Sequence, residues 1–142
     1  MNVFITKYLD SPNQPLFPFG YGLSYTTFEY SEIQMEDKQL TRDGKLNVSV
    51  KVKNTGKYKG TETVQLYIRD LVASVTRPVK ELKSFRKVEL KPGEEKKVEF
   101  VITEKDLRFW NDKKQFISEP GKFHLFIGTD SENVKKAEFV LL

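Results

Sequence analysis

Alternation of apolar and polar residues with a period of two is the feature that most limits what this chain of 142 residues can fold into. From Leu46 to Val52 every second residue is apolar, which is typical of a β-strand with one face buried and one face in water. The same period recurs in four more runs, whose apolar members are Val64, Leu66, Ile68; Val98, Phe100, Ile102; Phe123, Leu125, Ile127; and Ala137, Phe139, Leu141. No segment of ten or more residues carries a helical apolar stripe. The sequence therefore predicts an all-β protein.

An earlier run changes phase partway along. Phe28 and Tyr30 begin it at even-numbered positions, but Ile33 and Met35 continue it at odd-numbered positions. A slip of one residue exchanges the two faces of a strand, so we expect a bulge or a bend at this point.

Turn-forming residues separate the runs. The segment Lys91-Pro92-Gly93-Glu94 suits a type II turn, and Glu119-Pro120-Gly121-Lys122 repeats its pattern. A small hairpin is predicted around Asn111–Lys114, and one helical turn is predicted after Thr103, with Asp106 completing the cap. Seven or eight short strands separated in this way favour an antiparallel β-sandwich of immunoglobulin-like or fibronectin type III-like architecture.

Charge and composition exclude several classes of function. The chain has 24 basic and 20 acidic residues, a modest excess that is not typical of a nucleic-acid-binding protein. Seven of the basic residues lie between Lys80 and Lys97 among four acids, which we interpret as a solvated strand face, with a polyanion site as the alternative. The longest apolar run, Phe139–Leu142, is far short of the roughly 20 residues that a membrane helix needs.

Few residues are available for metal binding or nucleophilic catalysis. The chain has no cysteine, and its single histidine, His124, is expected on an outward strand position as a surface residue. One histidine without cysteine argues against a zinc site of the usual kind and against a Ser-His-Asp triad. We therefore predict no metal, no cofactor, and neither a nucleic acid nor a membrane as partner.

The segment Pro15–Tyr25 does not fit the strand pattern. It carries two prolines, two glycines and four aromatic residues within eleven positions. Two interpretations stay open: its aromatic side chains cover one end of the chain's own core, or they dock on something outside the chain. We accordingly divide the chain into an entry segment or interdomain linker, residues 1–25, and a sandwich domain, residues 26–142.

The same segment, extended to Phe28 as PLFPFGYGLSYTTF, resembles the entry to the C-terminal fibronectin type III-like domain of family 3 glycoside hydrolases, which are chiefly β-glucosidases. Further blocks match that domain in the expected order, and the resemblance extends over roughly residues 12–142. These blocks are Val52–Gly56, Glu62–Ile68, Ser74–Phe85, Leu90–Glu94 and Glu119–Gly121.

This resemblance implies a non-catalytic accessory domain. In that family the nucleophile and the acid/base carboxylate belong to upstream domains, and neither motif occurs in this sequence, so no residue here is predicted to be catalytic. The implied partner is the upstream catalytic part of the same polypeptide. Many bacterial members are periplasmic or secreted and others stay inside the cell, so the resemblance leaves the compartment open. The residues that we expect to contact the neighbouring domains are Phe17, Phe19, Tyr21, Tyr25 and Arg77.

Two other functions stay open beside the accessory role. A carbohydrate-binding module would use an exposed aromatic side chain as a platform for sugar rings, and Trp110 is the candidate. The ordinary interpretation of Trp110 is a half-buried position at the rim, because Phe109 and Trp110 point to opposite faces of one strand. A free-standing adhesion module of immunoglobulin type is the other alternative.

Overall fold

The computed structural model describes residues 26–71 and 79–142. Eleven strands lie within these ranges. In chain order they are β1 (Phe28–Tyr30), β2 (Gln34–Met35), β3 (Gln39–Leu40), β4 (Leu46–Asn54), β5 (Gly60–Asp70), β6 (Lys80–Leu90), β7 (Glu95–Ile102), β8 (Phe109–Trp110), β9 (Phe116–Ile117), β10 (Gly121–Gly128) and β11 (Val134–Leu141).

The strands form two larger sheets and a small hairpin. In the first sheet β4 is central, with β7 on one side and both β1 and β2 on the other. The second sheet has the order β3-β11-β10-β5-β6 and is antiparallel except for the pairing of β3 with β11. The predicted sandwich is confirmed. The strand number exceeds the expected seven or eight because one edge strand is broken in two, because the predicted hairpin adds two short strands and because β3 was not foreseen.

The break between β1 and β2 is the predicted change of phase. Tyr30 lies opposite Val52, and an unbroken register would place Gln34 opposite Val48. Gln34 instead lies opposite Ser49, which is a shift of one residue. The predicted slip is confirmed. Because of it, the apolar residues of both halves face the core, although they occupy even-numbered positions in the first half and odd-numbered positions in the second.

The apolar faces of the two sheets meet in one core. Every residue assigned to an inward face by the period of two is buried except Ala137, which is half-buried at its edge. The rings of Phe123 and Phe139, on neighbouring strands of the second sheet, stack in this core with centroids 5.4 Å apart. Each fully buried large side chain contributes about 1.5–3 kcal/mol relative to exposure, so this face-to-face burial stabilises the sandwich.

One of the two predicted type II turns is present. Gly93 has φ +81°, and the Glu94 N–H donates to the Lys91 carbonyl at 2.9 Å, which closes the connection from β6 to β7. The prediction for Glu119–Lys122 is wrong. Gly121 is already the first residue of β10, paired with Leu141 in the sheet, and its φ of +147° is not that of a type II turn.

Two other local predictions are confirmed. A single 3₁₀ turn spans Glu104–Leu107, and the Thr103 N–H donates to Asp106 Oδ2 at 2.9 Å. The hairpin of β8 and β9 closes over Asn111, whose Oδ1 accepts hydrogen bonds from the Lys113 and Gln115 N–H groups, both at 2.9 Å.

The sandwich has two distinct ends. Thr26 lies at the Asn54 end, where its hydroxyl donates to the Asn54 side chain and where β5 begins and β6 finishes. The opposite end, which we call the hairpin end, carries the β8–β9 hairpin, the last residue of β5 and the first residue of β6. The fold therefore places the point where the entry segment joins the sandwich and the connection between β5 and β6 at opposite ends.

Candidate functional site

The predicted site residues, one sugar platform and five interdomain contacts, fall into two groups. Trp110 lies in the part of the chain that the structure describes, so its environment is defined. The five residues predicted to contact neighbouring domains lie outside the described residues, so that role stays a prediction for each of them: Phe17, Phe19, Tyr21, Tyr25 and Arg77.

Trp110 is an exposed aromatic side chain on the hairpin. Its exposed fraction is 69%, and its ring centroid lies 5.2 Å from that of Phe116, which is itself 48% exposed. The predicted half-buried position is wrong. Phe109 occupies the inward position and packs against the core, so Trp110 on the next residue points away from it.

A shallow cleft beside Trp110 joins it to the end of the β5–β6 connection. Val79, which is 59% exposed, and Asp70 line this cleft together with Trp110. Residues 72–78, which include Arg77, lie between Asp70 and Val79 in the chain. We call the three exposed apolar side chains Val79, Trp110 and Phe116 the hairpin patch.

A polar cluster fixes the hairpin to the sandwich. The Arg108 guanidinium donates to both Glu104 carboxylate oxygens at 2.9–3.2 Å, and the Ser118 hydroxyl donates to the same carboxylate. Arg42 in turn donates to Ser118 at 3.1 Å. The hydrogen bonds from Arg108 and Ser118 lower the pKa of Glu104 to about 2. Because Ser118 follows β9 directly, this cluster holds the hairpin patch in a defined place.

A buried carboxylate joins the two sheets at the Asn54 end. Glu62 accepts hydrogen bonds from the Tyr30 hydroxyl at 2.7 Å and from the Thr129 hydroxyl at 2.8 Å. Burial raises the pKa of Glu62, although both hydrogen bonds act in the opposite direction. Burial and the adjacent Glu62 carboxylate raise the pKa of Tyr30. Because its own fold supplies both donors, Glu62 acts as a cross-sheet tie.

His124 lies on the outer face of β10, as predicted, but it is less exposed than a surface residue. Only 18% of its side chain is exposed, and its ring stands edge-on to Phe126. Its Nε2 is 3.9 Å from Glu138 Oε2, which is beyond hydrogen-bonding distance. Burial, followed by the charge of Lys136, lowers the pKa of His124.

Residues 26–71 and 79–142 hold no group of three or more side chains suited to a metal ion. Over the same ranges, no helix has the length and apolarity to cross a membrane.

Sequence reasoning missed two exposed apolar residues on β6. Leu82 and Phe85 are 51% and 53% exposed, within the charged run that was interpreted as a solvated face. Most residues of β6 are indeed exposed, which agrees with that interpretation. The sequence signal for Leu82 and Phe85 was the presence of two large apolar residues on a strand that shows no alternation of apolar and polar residues.

The sequence and fold match known proteins over nearly the whole chain. The family model of the fibronectin type III-like domain matches residues 62–131. The periplasmic β-glucosidase of Salmonella typhimurium is 50% identical over 99% of this chain and 18% of that protein. The β-glucosidase BoGH3A of Bacteroides ovatus is 55% identical over 86% of this chain and 16% of that protein.

A solved structure agrees with these relatives. The β-glucosidase of Listeria innocua in complex with glucose has a TM-score of 0.77 and 43% identity over 97% of this chain, which is 19% of that protein. The chain thus spans less than a fifth of the length of each of these three relatives. Their catalytic activity lies in other domains. The chain belongs to the fibronectin type III-like domain family and is a non-catalytic accessory domain of the kind carried by family 3 glycoside hydrolases.

Proposed function

We propose that this domain braces the catalytic domains of a β-glucosidase-type glycoside hydrolase, which hydrolyses terminal β-glycosidic bonds in carbohydrate metabolism. The observation that carries the proposal is the hairpin patch. Its aromatic rings are exposed side by side on a hairpin that the Glu104 cluster holds in place. Aromatic side chains fixed in this way offer a large contact area at a low entropic cost.

The position of the hairpin patch also supports the catalytic domains as the partner. The core is closed between the sheets without Trp110 or Phe116, so these rings add little to the stability of the sandwich itself. The connection that contains Arg77 begins and ends beside them. A neighbouring domain that covers the hairpin end would therefore reach both the hairpin patch and the connection that contains the predicted contact residue Arg77.

Substitutions in the patch test the bracing role in the full-length polypeptide that carries this chain. We expect Trp110→Ser and Phe116→Ser to lower its unfolding midpoint and to shorten the half-life of its β-glucosidase activity on heating. The same substitutions in the 142-residue chain should leave its midpoint within about 1 °C, because the side chains are exposed.

Val101→Ser is the matched control, since Val101 is 51% exposed on the outer face of the first sheet. It should change neither protein. Full-length midpoints that stay unchanged for both patch variants would contradict bracing through the hairpin end.

A second candidate function follows from the exposure of Trp110 alone. We infer that the Trp110–Phe116 pair is also a candidate platform for the rings of a polysaccharide, because an exposed indole is available to stack on a sugar face. Affinity electrophoresis of the 142-residue chain in soluble β-glucans tests it. Retardation that Trp110→Ala abolishes and Val101→Ala preserves would favour this function, and free migration of the unsubstituted chain would reject it.

A further inference from the structure

The outer face of the second sheet carries an ordered set of side chains. Because the inward residues of β5 are Val64, Leu66 and Ile68, the intervening residues of β5 point outward with their cross-strand partners. One outward row runs across four strands as Lys80, Arg69, His124 and Glu138, and the next row runs as Leu82, Tyr67, Phe126 and Lys136. We call these two rows and the adjacent Phe85 the outer face.

A bulge in β6 makes this face apolar at its edge. Ser84 lies opposite Leu66, but Leu82 lies opposite Tyr67, so Lys83 is the extra residue. In a regular strand Leu82 and Phe85 would point to opposite faces, since they are three residues apart. The slip places both on the outer face, where each is about half exposed.

Within residues 26–71 and 79–142, two buried nitrogen atoms on this face have no hydrogen-bond partner: Arg69 Nε and His124 Nδ1. They belong to directly opposed residues of β5 and β10. Buried polar atoms in folded proteins are nearly always paired, and leaving one unpaired is destabilising. Their occurrence side by side indicates a missing group that offers hydrogen-bonding oxygen atoms.

The charge of the face indicates what that group is. Three cations, Arg69, Lys80 and Lys136, and one acid, Glu138, occupy the two rows. Arg69 and Lys80 also lie over the Phe126 ring, at 5.2 and 4.3 Å from its centroid, so their charges are held close to His124 and its unpaired nitrogen. A carboxylate suits this setting, because it supplies acceptor oxygens and the opposite charge.

We propose that the outer face is a docking surface for another domain of the same polypeptide, which presents a carboxylate to Arg69 and His124 and apolar side chains to Leu82 and Phe85. The inference rests on the proposed accessory function and adds a second contact, separate from the hairpin patch. We place the occupant in the part of the polypeptide outside this chain, because the chain spans less than a fifth of the length of its relatives. A second copy is disfavoured, because pairing of two such faces would oppose like charges.

Thiol labelling tests the surface directly, because the chain has no cysteine of its own. Phe85→Cys and Leu82→Cys report on the outer face, Trp110→Cys reports on the hairpin patch, and Val101→Cys is the exposed control. Each variant is labelled in the 142-residue chain and in the full-length polypeptide, and the labelled peptide is quantified by mass spectrometry.

The two proposals give separable results. We expect labelling at Phe85 and Leu82 to be at least about tenfold slower in the full-length polypeptide, with equal rates in both proteins at Val101. Protection at Trp110 with none at Phe85 and Leu82 would overturn the outer-face inference while leaving bracing intact. Protection at none of the three positions would overturn both.

Substitution of Arg69 tests the carboxylate. Arg69→Met removes the unpaired Nε, so it should raise the unfolding midpoint of the 142-residue chain by a few degrees or leave it unchanged. In the full-length polypeptide it should lower the midpoint, because the docked carboxylate loses its partner. Lys53→Met, on the outer face of the first sheet, is the control and should be neutral in both. Equal shifts in both proteins for Arg69→Met would overturn the carboxylate contact.

Discussion

A single buried amide organises one end of the sandwich. Asn54 is fully buried, and its Nδ2 donates to the carbonyls of Tyr58 and Leu90 at 2.7 and 2.9 Å. Its Oδ1 accepts from the Thr26 hydroxyl at 2.5 Å and from the Gly56 N–H at 2.9 Å. The side chain therefore joins the start of the described chain to β4, to the loop after it and to the end of β6.

Substitution of Asn54 should be strongly destabilising. Asn54→Ala removes all four hydrogen bonds and leaves buried polar partners unpaired, so we expect a loss of about 2–4 kcal/mol in the free energy of unfolding. Asn54→Asp should cost at least as much at pH 7, because a carboxylate cannot donate to the two carbonyls. Urea unfolding monitored by circular dichroism measures both, and a loss below about 1 kcal/mol would contradict the assigned role.

The raised pKa of Glu62 predicts a specific pH dependence. Because the folded state binds this proton more tightly, the contribution of Glu62 to stability is complete below the ordinary value of 4.5 and is lost as the pH rises through the folded pKa. The stability of Glu62→Gln relative to the unsubstituted chain should therefore improve as the pH rises above 4.5 and then level off.

Urea unfolding between pH 4 and 8 measures this difference, and Glu29→Gln, an exposed position on β1, is the matched control for the loss of one acid. A relative stability of Glu62→Gln that falls with rising pH would show that the carboxylate prefers its charged form in the fold.

Glu104 should behave in the opposite way. Its pKa of about 2 lies below the ordinary 4.5, so its stabilising contribution is present above pH 4.5 and is lost as the pH falls toward 2. Glu104→Gln should cost about 1–2 kcal/mol at pH 7 and almost nothing near pH 2. Acid titration of the unfolding free energy checks this, and a cost that is independent of pH would reject the ion pair as its source.

At the residue scale the sequence predicted less than the structure contains. The four hydrogen-bond partners of Asn54 lie up to 36 positions away in the chain, and no local pattern indicates them. Trp110 was placed at the rim because one of two adjacent aromatic residues had to point inward. Local alternation does not decide which of the two rings does so in a strand of two residues.

At the scale of elements, the turn between β6 and β7 depends on a left-handed residue. Gly93 has φ +81°, and a Cβ at this position would meet no atom within 4 Å, so the cost of a substitution there is purely one of backbone conformation. Gly93→Ala should lower the free energy of unfolding by about 1 kcal/mol, and Gly93→Asn should lower it by less. Thermal unfolding of both variants measures the difference, and equal stability of all three proteins would contradict the turn geometry.

Strands with one buried face were predicted well, and strands of only two paired residues were predicted poorly. A period of two indicates which side chains face the core, so the inward residues of β4, β5, β7 and β10 were assigned correctly. Gly121 was misassigned because the Pro-Gly pair that favours a turn also precedes a strand whose first residue is already paired. Strands of two residues, such as β3, carry too few positions for a pattern.

At the scale of the whole molecule, the buried core residues of the two described ranges lie between Leu40 and Leu141. The division of the chain after residue 25 stays a prediction. Deletion of residues 1–25 should lower the unfolding midpoint of the chain by no more than about 3 °C if that segment serves a neighbouring domain. Calorimetry of residues 26–142 beside the full chain measures this, and a loss of cooperative unfolding would assign the segment to the chain's own core.

The broken register of β6 has a further consequence for solubility. This strand lies at the edge of its sheet over 11 residues, and such an edge offers unpaired backbone groups to any passing chain. The bulge at Lys83 and the flanking cations interrupt that template, since an incoming strand would meet both a kink and uncompensated charge. We therefore expect Lys83, which brings Leu82 and Phe85 to one face, also to reduce amyloid-like aggregation of the domain.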